Sequence, residues 1–191
     1  MSTFMATRLE NKRFNVIDNV FSDKVLTILK SYTKPLPVDK SSYDVWPAEV
    51  TNNKTAVECF TCDIVGNDKA QILYELYENA TLPCYKKTWL KHCDIAIQKM
   101  PVGSSIYKHT DNCIFSLTVF LSAFDGGKFI WWEGDTAHIV EPALNKGIYA
   151  YYDNYTIGAD HQVTNVESNT RYTLQLFLYS KNIAATQRKD T

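Results

Sequence analysis

Apolar positions recur at helical spacing in two early segments and alternate at strand spacing through most of the second half of the chain. "FNVIDNVFSDKVLTILKSY" reads as a short strand followed by a helix. Ser22 is a good N-cap there, Asp23 suits the positive end of the helix, and Val25, Leu26 and Leu29 form its apolar stripe. "NDKAQILYELYENA" predicts a second helix, capped by Asn67, with Ala70, Leu73 and Leu76 or Tyr77 along one side. Between the two, residues 34–55 ("KPLPVDKSSYDVWPAEVTNNKT") carry three prolines among polar residues, which predicts a long mobile loop of the kind that serves as a lid.

From residue 88 onward the segments "TWLKHCDIAIQKM", "IFSLTVFLS", "GKFIWWEG", "AHIVEP", "GIYAYYD" and "RYTLQLFLYS" are short and rich in β-branched and aromatic residues. Turn signals separate them at Pro101–Gly103, Asp125–Gly127, Glu133–Asp135, Asn145–Gly147 and Glu167–Asn169. This spacing predicts a sandwich or barrel of antiparallel strands. With two helices ahead of it covering one face, the fold class is α+β, mainly β. The expected organisation is a single domain over 1–191 with a frayed tail at 181–191.

Composition narrows the possible functions. Twenty basic and 21 acidic residues give a net charge of −1, so no basic field draws the chain to nucleic acid or an anionic membrane. No stretch approaches the length of a membrane span, and "MSTFMATRLENKRF" lacks a secretory apolar core. Five cysteines, at 59, 62, 84, 93 and 113, form an odd and scattered set that points to a reducing compartment, with the cytoplasm as the expected location. "CFTC" (Cys59 to Cys62) matches C-x-x-C, but no Gly or Pro turns it into a chelating knuckle, so ordinary buried thiols are expected.

The chemistry-bearing stretch is "SSIYKHTDNCIFSLTVFLS". In a strand, i and i+2 face the same way, so His109 and Asp111 present an imidazole and a carboxylate together. A second H-x-D pair, His92 and Asp94, means that the motif alone selects nothing. A third ligand does: His161 lies 52 residues beyond His109, and Arg171 follows ten residues later. Two histidines and one carboxylate form the facial triad of non-haem Fe(II) oxygenases, which leaves coordination positions open for a bidentate 2-oxo acid and for oxygen. An arginine fork suits a second carboxylate at the acid's far end. If "VESNT" turns the His161 strand back onto the Arg171 strand, the two side chains stand roughly 13 Å apart. On that returning strand Arg171, Thr173 and Gln175 alternate with Leu174, Leu176 and Leu178, which predicts a wet cavity on one face and packing on the other. His138 is a poorer distal ligand, since Ile148 stands ten residues beyond it.

These residues resemble the 2-oxoglutarate/Fe(II) oxygenase superfamily, most closely its prolyl-4-hydroxylase-like branch. The opening strand and helix, the glycine turn at Gly103 leading into His109-Thr-Asp111, "FLSAFDGGKF", and "HQVTNVESNTRYTLQLFL" carry the likeness. It is strongest from 98 to 179 and weak from 34 to 87. The resemblance implies a double-stranded β-helix (jelly-roll) with the N-terminal helices packed on one sheet. It implies Fe(II) held by His109, Asp111 and His161, 2-oxoglutarate held by Arg171 with Tyr107 and Thr173 as further contacts, and O2 as oxidant, with ascorbate a candidate stimulant. Two departures stand out: Met100 occupies a position where the branch often has tyrosine, and Phe120 another.

The implied reaction is hydroxylation of an aliphatic C–H, with a prolyl, other amino-acid or peptide substrate first in line and succinate and CO2 released. Small molecules are the alternative substrates. Asp111 disfavours halogenation, because related halogenases carry Gly or Ala there to admit a halide. The absence of a second arginine soon after Arg171 disfavours nucleic-acid base demethylation. The rival reading is a non-catalytic jelly-roll, cupin- or lectin-like, that holds a metal or ligand without needing Arg171. Should Arg171 not serve, Lys128 is the next cation. Trp131 and Trp132 alternate faces, so one of them faces the core, while Tyr43 and Trp46 equip the 34–55 loop to pack on a proline ring.

Overall fold

The computed structural model of the protein describes residues 14–33, 44–45, 59–78, 92–111, 113–151 and 160–179. Strand β1 (Phe14–Ile17) leads into helix α1 (Asp23–Tyr32). The expected cap forms: Ser22 is extended, its hydroxyl accepts from the Val25 N–H, and Val25 and Leu29 are buried with Leu26 packed beside them. A two-residue strand, β2 (Asp44–Val45), lies inside the expected 34–55 loop and pairs with β3 (Phe60–Asp63). The rest of that loop, including Tyr43 and Trp46, lies outside the described residues, as do Cys84 and the 181–191 tail.

Helix α2 (Gly66–Glu78) departs from expectation in its face and its start. It begins at Gly66, whose φ of 62° turns the chain sharply out of β3, so Asn67 is not its first residue. Ile72, Leu73 and Leu76 are buried while Ala70 is exposed, because the larger side chains win the contact with the sheet. Two polar ties hold the helices together. Glu75 accepts from both the Ser22 N–H and the Ser22 hydroxyl, and the Tyr32 hydroxyl donates to Asp68 at 2.6 Å. The Tyr32 hydroxyl is held protonated by that bond first and by burial second, with its pKa pushed up to about 12.

The second half is strand throughout: β4 (Asp94–Met100), β5 (Ile106–His109), β6 (Phe115–Phe120), β7 (Asp125–Gly126), β8 (Phe129–Glu133), β9 (Thr136–Val140), β10 (Gly147–Tyr151), β11 (His161–Val163), β12 (Val166–Ser168) and β13 (Arg171–Leu178). They build a seven-stranded sheet in the order β1-β10-β6-β13-β4-β3-β2, a four-stranded sheet β5-β11-β8-β9, and a small ladder β12-β7, with every pairing antiparallel. The architecture is mainly β, with the two helices packed on the outer face of the large sheet. No described helix is long and apolar enough to cross a membrane.

Two cores follow from strand alternation. Leu174, Leu176 and Leu178 of β13 join Leu117 and Val119 of β6 against Val25, Leu29, Ile72 and Leu76 of the helices. Between the sheets, Phe14, Phe120, Phe124, Phe129 and Trp131 form the second core. Phe14 reaches across from the large sheet to touch Phe129 and Trp131 at 5.5 Å each and the His161 ring at 5.6 Å. Turn chemistry is firm at Asn145, which sits at φ 62° and clasps Phe21 with its side-chain amide, accepting from its N–H at 2.9 Å and donating to its C=O at 2.8 Å.

The expected hairpin across "VESNT" does not form. After β11 the chain leaves the four-stranded sheet, pairs briefly with β7, and enters the large sheet as β13 between β6 and β4. The reason lies in the backbone bonds of 164–166. The Thr164 N–H donates to Lys128, the Asn165 carbonyl accepts from Gly127, and Val166 exchanges bonds with Gly103 and Ser104. Those groups were satisfied by neighbouring turns, so the chain had no need to fold back on β11. Asp125–Gly126, expected as a turn, is thereby recruited as a strand.

Candidate metal centre and anion pocket

Register alone brings the histidines together. His161 of β11 stands directly opposite His109 of β5, and the two rings are 4.3 Å apart. Strand β5 ends at His109, so Asp111 lies two residues past the strand rather than within it. Its carboxylate still turns back between the rings: Oδ1 is 3.5 Å from His109 Nε2 and Oδ2 is 3.4 Å from His161 Nε2. One ligand atom from each of the three residues falls within 4.8 Å of the others. His109 Nδ1 sits 2.7 Å from the Tyr107 carbonyl, so the Nδ1–H donates outward and Nε2 keeps its lone pair for the centre. Phe129 stacks on the His161 ring at 5.1 Å and 18°, which fixes that imidazole's plane.

The electrostatics suit a shared centre. Burial is the largest single influence on His109 and opposes its charge, but Asp111 and the Tyr107 carbonyl outweigh it and raise the pKa. For Asp111 burial again leads, and the two imidazoles outweigh it and hold the carboxyl below the usual range. A carboxylate between two imidazoles is a donor set that suits a divalent transition metal.

Arg171 occupies the other end of the same cavity, which His109, Asp111, His161, Gln98 and Gln175 also line. It is fully buried. Its Nη1 donates to Gln98 Oε1 at 2.8 Å, to the Met100 sulfur at 3.1 Å and to Thr173 Oγ1 at 3.3 Å, while Nε and Nη2 have no partner among the described residues. Phe120 and Phe124 face the guanidinium at 5.5 and 5.9 Å. No carboxylate among the described residues pairs with it, and burial lowers its pKa to about 9, with Cys59 pulling weakly the other way. Gly127 makes room for this side chain: a Cβ there would stand 3.0 Å from Arg171 Cδ and 2.9 Å from Phe124, at a φ of 54°.

The expected β13 stripe is present, with Arg171, Thr173 and Gln175 buried on one face and the leucines on the other. Thr173, expected to touch a bound acid, donates instead to Gln98 at 3.2 Å and accepts from Arg171, beneath the cavity wall. Tyr107 also differs from expectation. Its side chain is 41 % exposed and does not line the cavity, because β5 is irregular opposite β11: three residues of β5 span two of β11 between the His161–His109 and Val163–Ile106 pairs, which breaks the alternation and turns Ile106 inward in its place. What Tyr107 contributes is its carbonyl. Lys128 pairs with Glu141 at 2.7 Å at the surface, away from the cavity.

Other sequence candidates stay apart from the site. Asp94 is exposed at the start of β4 and His92 precedes it. His138 stacks on Trp131 at 5.0 Å and lies 3.3 Å from Glu133. Trp131 is core, and Trp132 lies under the Lys108 ammonium at 4.5 Å. Cys59, Cys62, Cys93 and Cys113 are free thiols. Gln98 is the residue the sequence reading passed over. Its signal was a lone amide in the apolar "DIAIQKM", two positions before Met100 and so on the same strand face.

No family profile matches the chain, and no curated protein matches it. Solved structures do, and they define the fold as that of 2-oxoglutarate–Fe(II) oxygenases. An oxidoreductase of the 2OG-Fe(II) oxygenase family from Burkholderia pseudomallei aligns with a TM-score of 0.62 at 16 % identity, covering 86 % of this chain and 84 % of that one. A Pseudomonas putida prolyl-4-hydroxylase aligns at 0.61 and 12 %, covering 88 % and 94 %. A Trichoplax adhaerens prolyl hydroxylase, solved with a peptide fragment of the hypoxia inducible factor oxygen degradation domain, aligns at 0.65 and 14 %, covering 93 % and 88 %.

Proposed function

We propose that the protein is a single-domain Fe(II)- and 2-oxoglutarate-dependent dioxygenase on a double-stranded β-helix, hydroxylating an aliphatic C–H of an amino-acid or peptide substrate. One observation carries this reading: a buried arginine with no counter-ion among the described residues shares its cavity with a two-histidine, one-carboxylate cluster. A binding module that holds a metal has no use for such a charge, whereas an acid chelated at one end needs a cation at the other. His109, Asp111 and His161 would hold the metal, and Arg171 would fork the distal carboxylate. Bound Fe(II) would supply the oxygen activation that couples decarboxylation of 2-oxoglutarate, to succinate and CO2, with insertion of one oxygen atom into the substrate.

The chain's own contributions follow from the geometry. Asp111 stays ionised between the imidazoles, the Tyr107 carbonyl fixes the His109 tautomer, and Phe14 and Phe129 keep water from the His161 side. A peptide substrate draws support from the Trichoplax neighbour's bound fragment, and a prolyl residue is the first to assay. Free thiols favour a reducing compartment, and we place the protein in the cytoplasm on that ground. The test is 2-oxoglutarate-dependent succinate release with Fe(II), together with the weak visible charge-transfer band that Fe(II) and the acid give anaerobically. Asp111→Ala should lose both the band and turnover. Full activity in that variant refutes the assignment, and metal binding with no 2-oxoglutarate response favours the binding-module alternative.

A further inference from the structure

Around Arg171 the hydrogen bonds are arranged so that one amide group is left over. Gln98 is fully buried and lines the cavity. Its Oε1 accepts from Arg171 Nη1 at 2.8 Å, from Thr173 Oγ1 at 3.2 Å and from Gln175 Nε2 at 3.3 Å. Its Nε2 has no partner among the described residues. The amide cannot be turned over, because that would set an NH2 group against the guanidinium. The direction of the orphan N–H2 is therefore fixed by the arginine itself.

We propose that Gln98 is a second anchor for the distal carboxylate, making the closed end of the cavity a three-donor anion site of Arg171 Nε, Arg171 Nη2 and Gln98 Nε2. This rests on the oxo-acid reading of the cavity and names the chain's own residue for it. All three donors are buried and without a partner among the described residues, and they belong to two side chains joined at 2.8 Å. A carboxylate has two oxygens and about four acceptor sites, so a guanidinium edge takes one set and the amide another. The other groups bonded to Arg171 offer no spare proton. The Met100 thioether only accepts, and the Thr173 hydroxyl spends its proton on Gln98. Further along the face, Thr118 donates to Gln175 Oε1 at 3.0 Å, which locks Gln175 with its amide toward Gln98 and Thr173. The hydroxyl and amide chain from Thr118 to Gln98 thus holds the amide oxygen on the protein side and leaves the NH2 as the uncommitted end of a residue that lines the cavity.

The discriminating pair of probes is 2-oxoglutarate and 2-oxobutyrate, which is the same acid without its distal carboxylate. Titration calorimetry on the Mn(II)-loaded protein, where no turnover occurs, reads the preference directly. The wild type should favour 2-oxoglutarate. Gln98→Leu should cut that preference about 10- to 100-fold, the worth of one hydrogen bond to a charged group. Its 2-oxobutyrate affinity should stay unchanged, which also reports an intact fold and metal centre. Gln98→Glu places a carboxylate on Arg171 and should erase the preference altogether. A wild-type preference retained by Gln98→Leu overturns the proposal, and so does a wild type that binds both acids equally. Glutarate on the metal-free protein separates this from the metal reading. Saturable binding that Gln98→Leu abolishes upholds the anion site even if the metal chemistry fails, and no glutarate binding to the wild type overturns it.

Discussion

Arg171→Met removes a charge that folding buries without a counter-ion among the described residues, and the outcome can be worked from the surroundings. Burial lowers the guanidinium pKa to about 9, well below its ordinary value. At about 1.36 kcal/mol per unit, the buried charge costs roughly 5 kcal/mol. The bond to Gln98 returns about 1.5–3 kcal/mol of that, and the longer contacts to Met100 and Thr173 return less. Methionine fills a similar volume beside Phe120 and Phe124 without the charge. The variant should therefore be more stable than the wild type by about 1–3 kcal/mol, or about 2–10 °C in melting temperature for a chain of this size. Differential scanning calorimetry of both proteins, with and without 2-oxoglutarate, reads this. Ligand at 100 times its Kd should lift the wild type by about 2.7 kcal/mol and close the gap, while the variant stays still. A variant that melts below the ligand-free wild type would mark Arg171 as a structural anchor. A variant that still shifts with 2-oxoglutarate would show that another group holds the acid.

Three further outcomes are expected. Gly127→Ala meets both a left-handed φ and a 3.0 Å approach to Arg171, so it should cost about 1–3 kcal/mol in urea denaturation and weaken 2-oxoglutarate binding; no change in binding would detach Gly127 from the pocket. Lys128→Ala should leave 2-oxoglutarate affinity unchanged in calorimetry, since that ammonium is committed to Glu141 at the surface. The Tyr32–Asp68 tie favours the protonated phenol, so its contribution should be whole below pH ~10, the unfolded value, and lost as pH rises through about 12. Melting curves of the wild type and Tyr32→Phe should then converge over that window, and a constant difference would mean the bond does not set the shift.

Much of the site could be read from the chain because its signals are local or periodic. Ser22, Asn145 and the β13 alternation each declare their roles within a few residues. His109 and Asp111 are two apart, and a strand end keeps them near one another even where the strand stops short. What could not be read is partner choice. Alternation says that Arg171 and Thr173 share a face, but not that β13 inserts between β6 and β4, because pairing is settled by distant backbone groups such as those of Gly127 and Ser104. For the same reason Tyr107 read as a pocket residue by proximity to His109, whereas the strand turns it outward. Gln98 was hidden because a single amide in an apolar strand acquires meaning only from Thr173 and Arg171 across the sheet.

Because the chain changes sheets between Val163 and Arg171, the two histidines and the arginine ride on separate slabs of the sandwich. An acid gripped at both ends is then measured by the gap between those slabs, as in a caliper. The jaws are set by bulk: Phe14 extends from the large sheet onto Phe129, Trp131 and His161. Trimming or enlarging that wedge would reset the length of acid that fits while every proposed ligand and anchor keeps its identity, although Phe14 itself packs on the His161 ring. On the proposed reading, selectivity among dicarboxylic oxo acids would then depend on the aromatic packing at the cavity wall as well as on the groups that grip the acid.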